Sequence, residues 1–464
     1  MDKWQHVEQP FVDTQPDYYT LSPTTSTVLW RRTLLIFCAA LIVRLVFVLL
    51  IDPAPSLRGG DTNWYMHNGH QLVTTGKTPG PLQTAPLYPV FLGIIQVLDP
   101  ASPARGHYYT TAEMQIARSL QAIMGAAVCA AVYLIARRLF SERAGLLAGV
   151  LMIVSPVLII EAGNLTSEGL FLFFLFMALL FYLYAKPTPP YLVLVGALFG
   201  LATLTRAVFL LFPLGLVLHL FLVQRRHWLR LSLALLTSYA LIVSTWTIYN
   251  LAVWDRLVVG GEGFWSFIYL RVDSPISPEE VDQQLEISDT DDQQDRTNIL
   301  KTEIKKNITN DPVGWFMDRF QGLAKAYIQP HNTVYYPGES IRDAVSHWLR
   351  EDHSLAGLVD LTRIESFWPK LALYLFHFGG LALGVLGMLW SWRQWRVFLP
   401  LYGLLLYFTG IHLVLMALPR YLFPMYPIWW IFAAGWIGTQ WASRRVSGEK
   451  PSDERLAAAD QAVV

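Results

Sequence analysis

The run TLLIFCAALIVRLVFVLLI, residues 33–51, decides how the rest of the chain is read. About nineteen apolar residues at 1.5 Å rise cover about 28 Å, close to the hydrocarbon thickness of a bilayer. A helix of that length satisfies its own backbone hydrogen bonds, as lipid requires. Runs of the same kind recur at 116–136, 145–161, 168–185, 191–205, 207–223, 231–252, 368–390, 397–417 and 422–441. The whole chain of 464 residues is 53% hydrophobic and 15% charged, with mean hydropathy +0.36. That is too apolar for an ordinary soluble protein. The expected fold is an all-α polytopic membrane protein of about ten transmembrane helices. A large first outer loop and an extracytoplasmic segment between the seventh and eighth spans complete it. Arg206 interrupts an apolar stretch too long for one span and short for two. Two tilted or shortened helices meeting at Leu204, Thr205 and Arg206 are expected there.

Lys and Arg in the short loops set the orientation. With the N-terminus cytoplasmic, the inner segments hold Arg31, Arg32, Arg137, Arg138, Arg143, Lys186, Arg225, Arg226, Arg230, Arg393, Arg396, Arg444 and Arg445. The short outer segments hold only Arg58, Lys77, Arg105, Arg118, Arg206 and Arg420. Both termini are therefore placed inside, in the plasma membrane. The expected organisation is a cytoplasmic tail over 1–29 and a membrane module over 30–252, with its first outer loop at 52–115. An acidic extracytoplasmic segment follows over 253–367, then C-terminal spans over 368–442 and a second cytoplasmic tail over 443–464. Residues 253–365 hold 11 basic and 20 acidic side chains against 24 and 15 elsewhere, so the zero net charge hides an asymmetry. The stretch Ser288 to Asp295 reads as a solvated acidic surface. Pro312 to Ile328 is amphipathic and is expected either on the outer membrane surface or capping the core.

Several features are bland. Cys38 and Cys129 lie in apolar spans and read as small buried hydrophobes. No cleavable signal peptide is expected, because the first apolar run is long enough to span. Asn164-Leu165-Thr166 and Asn307-Ile308-Thr309 fit the glycosylation pattern, a weak signal. No glycine-rich phosphate loop or soluble α/β pattern suggests a nucleotide-sugar site, and no nucleic-acid partner or cofactor is expected.

The chemistry lies in charges at outward helix ends. Asp61 stands in LRGGDTNWY, residues 57–65, roughly ten residues beyond the first span and in an expected loop. Glu161 and Glu168 belong to the second outer loop; Arg58, Arg206 and Arg420 are bases at outer helix ends; Arg44 lies inside the first span. Ionisable groups at membrane depth mark a site or pair with one another. Arginine grips phosphate bidentately, and a carboxylate can take the proton of an attacking hydroxyl. The plain alternative is structural pairing between helix ends.

The run Gly60-Asp61, Tyr65, Gly69, Leu72, Gly76 and Ala85-Pro86-Leu87-Tyr88-Pro89 resembles the first outer loop of polyprenyl-phosphate-sugar glycosyltransferases of the C-type superfamily. These are enzymes like the protein O-mannosyltransferases and the lipid A aminoarabinose transferase. Further similar runs follow in order: Arg118-Ser119-Leu120-Gln121, Tyr133 to Phe140, Ser155-Pro156, Leu165-Thr166-Ser167-Glu168, Gly200 to Arg206 and Arg420-Tyr421-Leu422-Phe423-Pro424. The likeness covers residues 30–250 well and the last two spans more loosely.

It implies that Asp61 is the catalytic aspartate and Glu168 a second acid organising the site. Arg58, Tyr65, Tyr88, Arg206, Arg420 and Tyr421 would bind substrate, with Arg206, Arg420 and Tyr421 near the lipid phosphate. Pro86 and Pro89 would stiffen the loop around Tyr88. Thr62 stands where protein mannosyltransferases often carry a second acid, and Ala85 replaces a proline. Both departures favour the broad bacterial branch over a protein acceptor. His67 and His70 share a helical face and could form a metal pair, and His331 could reach the site. The resemblance requires no metal, and none is assigned.

The reading is an inverting transferase with Asp61 as general base. Its partners would be a polyprenyl-phosphate-linked sugar donor, a lipid, glycan or protein acceptor, and the membrane, with the active site on the extracytoplasmic face. The alternative is a lipid or solute transporter or flippase, which intramembrane charges also suit. Charge gathered at one face and the absence of an inverted repeat argue against it.

Overall fold

The computed structural model describes residues 26–53, 60–78, 82, 84–98, 110–184, 187–261, 263–269 and 293–448. Among these residues every regular element is helical. The first helix, α1 (Ser26–Val46), continues through a wide turn at Phe47–Ile51. Two helices follow within the expected first outer loop, α2 (Gly60–Thr75) and α3 (Leu87–Leu98). Next come α4 (Thr111–Leu139), α5 (Glu142–Val154), α6 (Pro156–Gly163), α7 (Ser167–Tyr184) and α8 (Pro189–Thr205). Then α9 (Phe212–Val223) and α10 (Trp228–Trp254) complete the first part of the bundle. The expected outer segment contains α11 (Phe264–Tyr269), α12 (Gln293–Asn310), α13 (Pro312–Ile328), α14 (Ile341–His347) and α15 (Leu355–Leu361). The chain ends on α16 (Phe367–Ser391), α17 (Trp395–Val414) and α18 (Tyr426–Gly448).

A helix covers each of the ten apolar runs, but the runs are not equivalent. Among the described residues, five helical stretches are long and apolar enough to cross a bilayer, and up to six if the bent α5–α6 pair counts as one. Phe367–Val414, 48 residues long, is one of the five and contains both α16 and α17. The hydroxyl of Tyr402 donates to the carbonyl of Met388 at 2.9 Å. In a straight helix those residues would lie about 21 Å apart, so the chain reverses between α16 and α17.

The break at α5–α6 bends by 49°. Pro156 holds Ser155 extended at φ −63°, ψ 113°. The helix stops at Thr205, and Arg206 is extended at φ −143°, ψ 107°, before a short turn leads into α9. The two shortened helices expected around Arg206 are therefore found.

The last helix is not among the most apolar stretches. Residues 421–435 are nonetheless buried throughout, and α18 packs on α16, α5 and α4. A helix surrounded by protein needs fewer aliphatic residues than one facing lipid. Gly387 makes that packing close: a Cβ there would lie 2.2 Å from the carbonyl oxygen of Phe432.

Outer helices expose Leu35, Ile42 and Leu50 on the first span, Leu214 and Leu218 on α9, and Leu241 and Ile248 on α10. Such apolar faces on apolar helices are those of a multi-pass membrane protein. Cys129 is buried, whereas Cys38, read as buried, is exposed on the outward side of α1.

Candidate active site

Asp61 is not in a loop: it occupies the first turn of α2. There a carboxylate complements the positive end of the helix dipole. α2 and α3 touch backbone to backbone, since a Cβ on Gly69 would meet the Pro89 carbonyl oxygen at 2.0 Å. One turn beyond Asp61, Tyr65 is buried and meets Tyr88 edge to face with centroids 5.1 Å apart. Burial, with Glu168 and Asp61 beside it, pushes the Tyr65 phenol well above its usual range, so it remains protonated.

The second acid opens α7. Glu168 Oε1 lies 2.6 Å from Arg206 Nη1, and the side chains are 3% and 14% exposed. The Ser167 hydroxyl accepts from the same Arg206 nitrogen at 3.2 Å. Arg420, in the turn Pro419–Met425 before α18, pairs with Asp61 Oδ2 at 2.5 Å. Both guanidinium groups lie over the Tyr421 ring, Arg206 at 5.2 Å and Arg420 at 5.1 Å from its centroid. Two acids and two arginines from four helix ends thus form one charged cluster. The two ion pairs and the shared Tyr421 ring hold the four ends together.

The cluster lines a cavity of about 490 Å³. Asp61, Tyr65, Glu168, Arg206, Arg420 and Tyr421 share its wall with apolar residues including Val208, Leu211, Phe264, Ile411 and Leu415. Two polar atoms of lining residues, Arg420 Nε and Thr84 Oγ1, are buried without a hydrogen-bond partner among the described residues. Orphaned polar atoms in a mixed cavity suit a ligand that is part anion, part hydrocarbon.

Not every expected residue reaches it. Tyr88 is fully buried behind Tyr65 and donates to Gln121 Oε1 at 2.8 Å, so it supports the wall instead of lining the cavity. Arg58 lies outside the described residues. His67 and His70 do not line the cavity, and among the described residues no three His, Cys, Asp or Glu side chains converge as metal ligands. Arg44 is buried deep in α1, donating to the carbonyls of Ala40 and Met152.

Glu161 and His331 are neighbours of the site and not part of its lining. His331 Nε2 lies 3.0 Å from Glu161 Oε2. Glu161 also accepts from Thr166 Oγ1 at 2.6 Å and Asn164 Nδ2 at 3.2 Å. Asn164 donates to Asn332 as well, so its amide is engaged. Thr62 Oγ1 donates to the Leu165 carbonyl at 3.2 Å and Gln121 to that of Asn164 at 2.6 Å. The turn before Glu168 is therefore held from α2, α4 and the segment after α13. The sequence does not reveal this clamp, because the residues it pairs stand up to 170 positions apart.

Comparison with known proteins agrees with the superfamily that the motifs resemble. Residues 110–249 match the family model described as dolichyl-phosphate-mannose-protein mannosyltransferase, under a third of the chain. No curated protein matches. The apo oligosaccharyltransferase of Archaeoglobus fulgidus is similar in fold, with TM-score 0.51 and 14% identity over 92% of this chain and 54% of that one. This chain thus spans about half the length of that protein. Archaeoglobus fulgidus AglB, in complex with an inhibitory peptide and a dolichol-phosphate, aligns at TM-score 0.46 and 13% identity, over 92% and 53% of the two chains. ArnT from Cupriavidus metallidurans bound to undecaprenyl phosphate aligns at TM-score 0.37 and 16% identity, over 89% and 77%.

Proposed function

We propose that this protein is an integral-membrane glycosyltransferase. It moves one sugar from a polyprenyl-phosphate donor to an acceptor hydroxyl or amine at the outer membrane face. The observation that carries the reading is the meeting of Asp61, Glu168, Arg206 and Arg420 around one cavity with apolar walls. The match to the mannosyltransferase family over residues 110–249 supports the reaction class.

Asp61 takes the acceptor proton as the acceptor oxygen or nitrogen bonds to the anomeric carbon. The bond from that carbon to the phosphate oxygen breaks on the opposite side, inverting the centre. Negative charge grows on the departing polyprenyl phosphate, and Arg206 and Arg420 meet it with preorganised donors. Arg420 holds Asp61, so the phosphate must compete for the guanidinium before the base is freed. The orphaned Nε of Arg420 supplies a further donor for that exchange. Glu168, nearly inaccessible, keeps Arg206 in place. The site belongs to the extracytoplasmic face of the plasma membrane, with ten crossings and both termini inside.

Mass spectrometry of envelope lipids, glycans and proteins from cells with and without the chain tests this reading. One missing hexose- or pentose-type unit on a single acceptor class is expected. An unchanged inventory together with altered lipid distribution between leaflets would replace the transferase by a flippase.

A further inference from the structure

α13 has two sides, and among the described residues only one of them is covered. Arg319, Gly322, Leu323 and Ala326 turn inward and are buried. Positions 313, 317, 320, 324 and 328 step by four, three, four and four, which places them on one stripe, flanked by Phe316. Val313, Phe316, Met317, Phe320 and Ile328 are 73%, 50%, 47%, 53% and 53% exposed. The stripe runs the length of the helix, about 25 Å. No charged residue interrupts it; Asp318 and Lys325 fall along its flank.

We infer that this stripe is immersed in the acyl region of a phospholipid bilayer, so that α13 is an interfacial helix lying beside α17. Its neighbour points to that occupant. The hydroxyls of Tyr327 and Thr409 are hydrogen-bonded at 2.6 Å. Thr409 lies five residues before the end of α17, part of a stretch long and apolar enough to cross a membrane. The last turn of α13 therefore sits about 7 Å inside the end of a spanning helix. Ile328, next to Tyr327, is exposed at that depth, and α17 itself exposes Leu406 and Val414. Apolar side chains there meet lipid before they meet water.

The placement has a consequence for the cavity. On its buried side, Arg319 donates to the Ile268 carbonyl of α11. α11 carries Phe264 and Phe267 into the cavity wall. Lipid contact on one side of α13 thus seats that wall on the other. The inference concerns where the helix lies and does not depend on the reaction.

The test uses the full native chain in phosphatidylcholine nanodiscs doped with a phosphatidylcholine carrying an acyl diazirine. After irradiation, peptides covering 313–328 should carry lipid adducts at a yield comparable to α17, and peptides of α12 should carry none. Adducts on α17 without any on 313–328 would overturn the inference. A second measurement reads the environment directly. A nitroxide at Phe320→Cys, in a Cys38→Ala background, should be relaxed more by oxygen than by a water-soluble nickel chelate, and one at Lys305→Cys the reverse. Equal nickel access at both positions would place the stripe in water. Exclusion of both reagents at position 320 would place it against a protein partner or second copy. Either result overturns the inference.

Discussion

Arg206 and Glu168 are the two groups whose separation should be most expensive. Their ion pair is nearly out of contact with solvent, so removing one partner strands the other's charge. Breaking such a pair typically costs about 3–5 kcal/mol. Glu168→Ala and Arg206→Ala should each lower thermal stability sharply, and the double variant should recover much of the loss. A melting-temperature cycle in detergent measures this, and additive losses would show that the pair is not a unit. Donor binding separates structure from function at the same residue. Arg206→Lys keeps the charge but loses the planar fork, so it should weaken donor affinity, and Arg206→Ala should weaken it more. Unchanged donor affinity in both would leave Arg206 a structural partner of Glu168. The Asp61–Arg420 pair is of another kind, with side chains 46% and 35% exposed. Its loss should cost about 1 kcal/mol of stability at most.

Among the elements, the α2–α3 pair decides where Asp61 stands. Gly69 and Gly93 let the two backbones touch, and a methyl group on Gly69 would push into Pro89. Gly69→Ala should cost about 1–3 kcal/mol and reduce turnover, because Asp61 rides on the displaced helix. Gly215→Ala is the control: a Cβ there meets nothing within 4 Å, so its melting temperature should stay level or rise. Thermal unfolding of both variants in one detergent decides the matter. This pairing was not legible in the sequence, although the glycines were. α2 is weakly patterned, and a small residue becomes informative only when the opposing backbone is known. By contrast, the stop at Arg206 was readable, since a guanidinium within an apolar stretch forces a choice of depth. The bend at Pro156 is written in one residue, although the apolar run across it reads as continuous. Tyr88 shows the opposite failure. Its position in the loop motif suggested substrate contact, whereas its hydroxyl is paired with Gln121 inside the fold.

At the scale of the whole molecule, hydropathy reported composition well and environment poorly. It located a helix at every apolar run. It could not distinguish residues 426–435 of α18, enclosed by protein, from α10, which shows aliphatic side chains outward, because both remove water from their surroundings. The charged cluster was legible as a set because its members stand at helix ends expected on one side of a chain that alternates across the bilayer. The Glu161–His331 clamp was not, because nothing local links positions 170 residues apart. The alternation itself is testable in intact spheroplasts with a Cys38→Ala background. Thr75→Cys and Lys305→Cys should react with an impermeant maleimide from outside, and Arg226→Cys should react only after permeabilisation. Labelling at position 226 from outside would put the cavity on the cytoplasmic face. Sugar transfer with Asp61 taking the acceptor proton is tested by release of free polyprenyl phosphate from a polyprenyl-phosphate-linked sugar by the purified protein in proteoliposomes, with membrane-extracted acceptor. The native chain should release it, and Asp61→Asn should do so about 10²–10⁴-fold more slowly at nearly unchanged melting temperature. Turnover by Asp61→Asn at more than about half the native rate would contradict the role of Asp61 as general base.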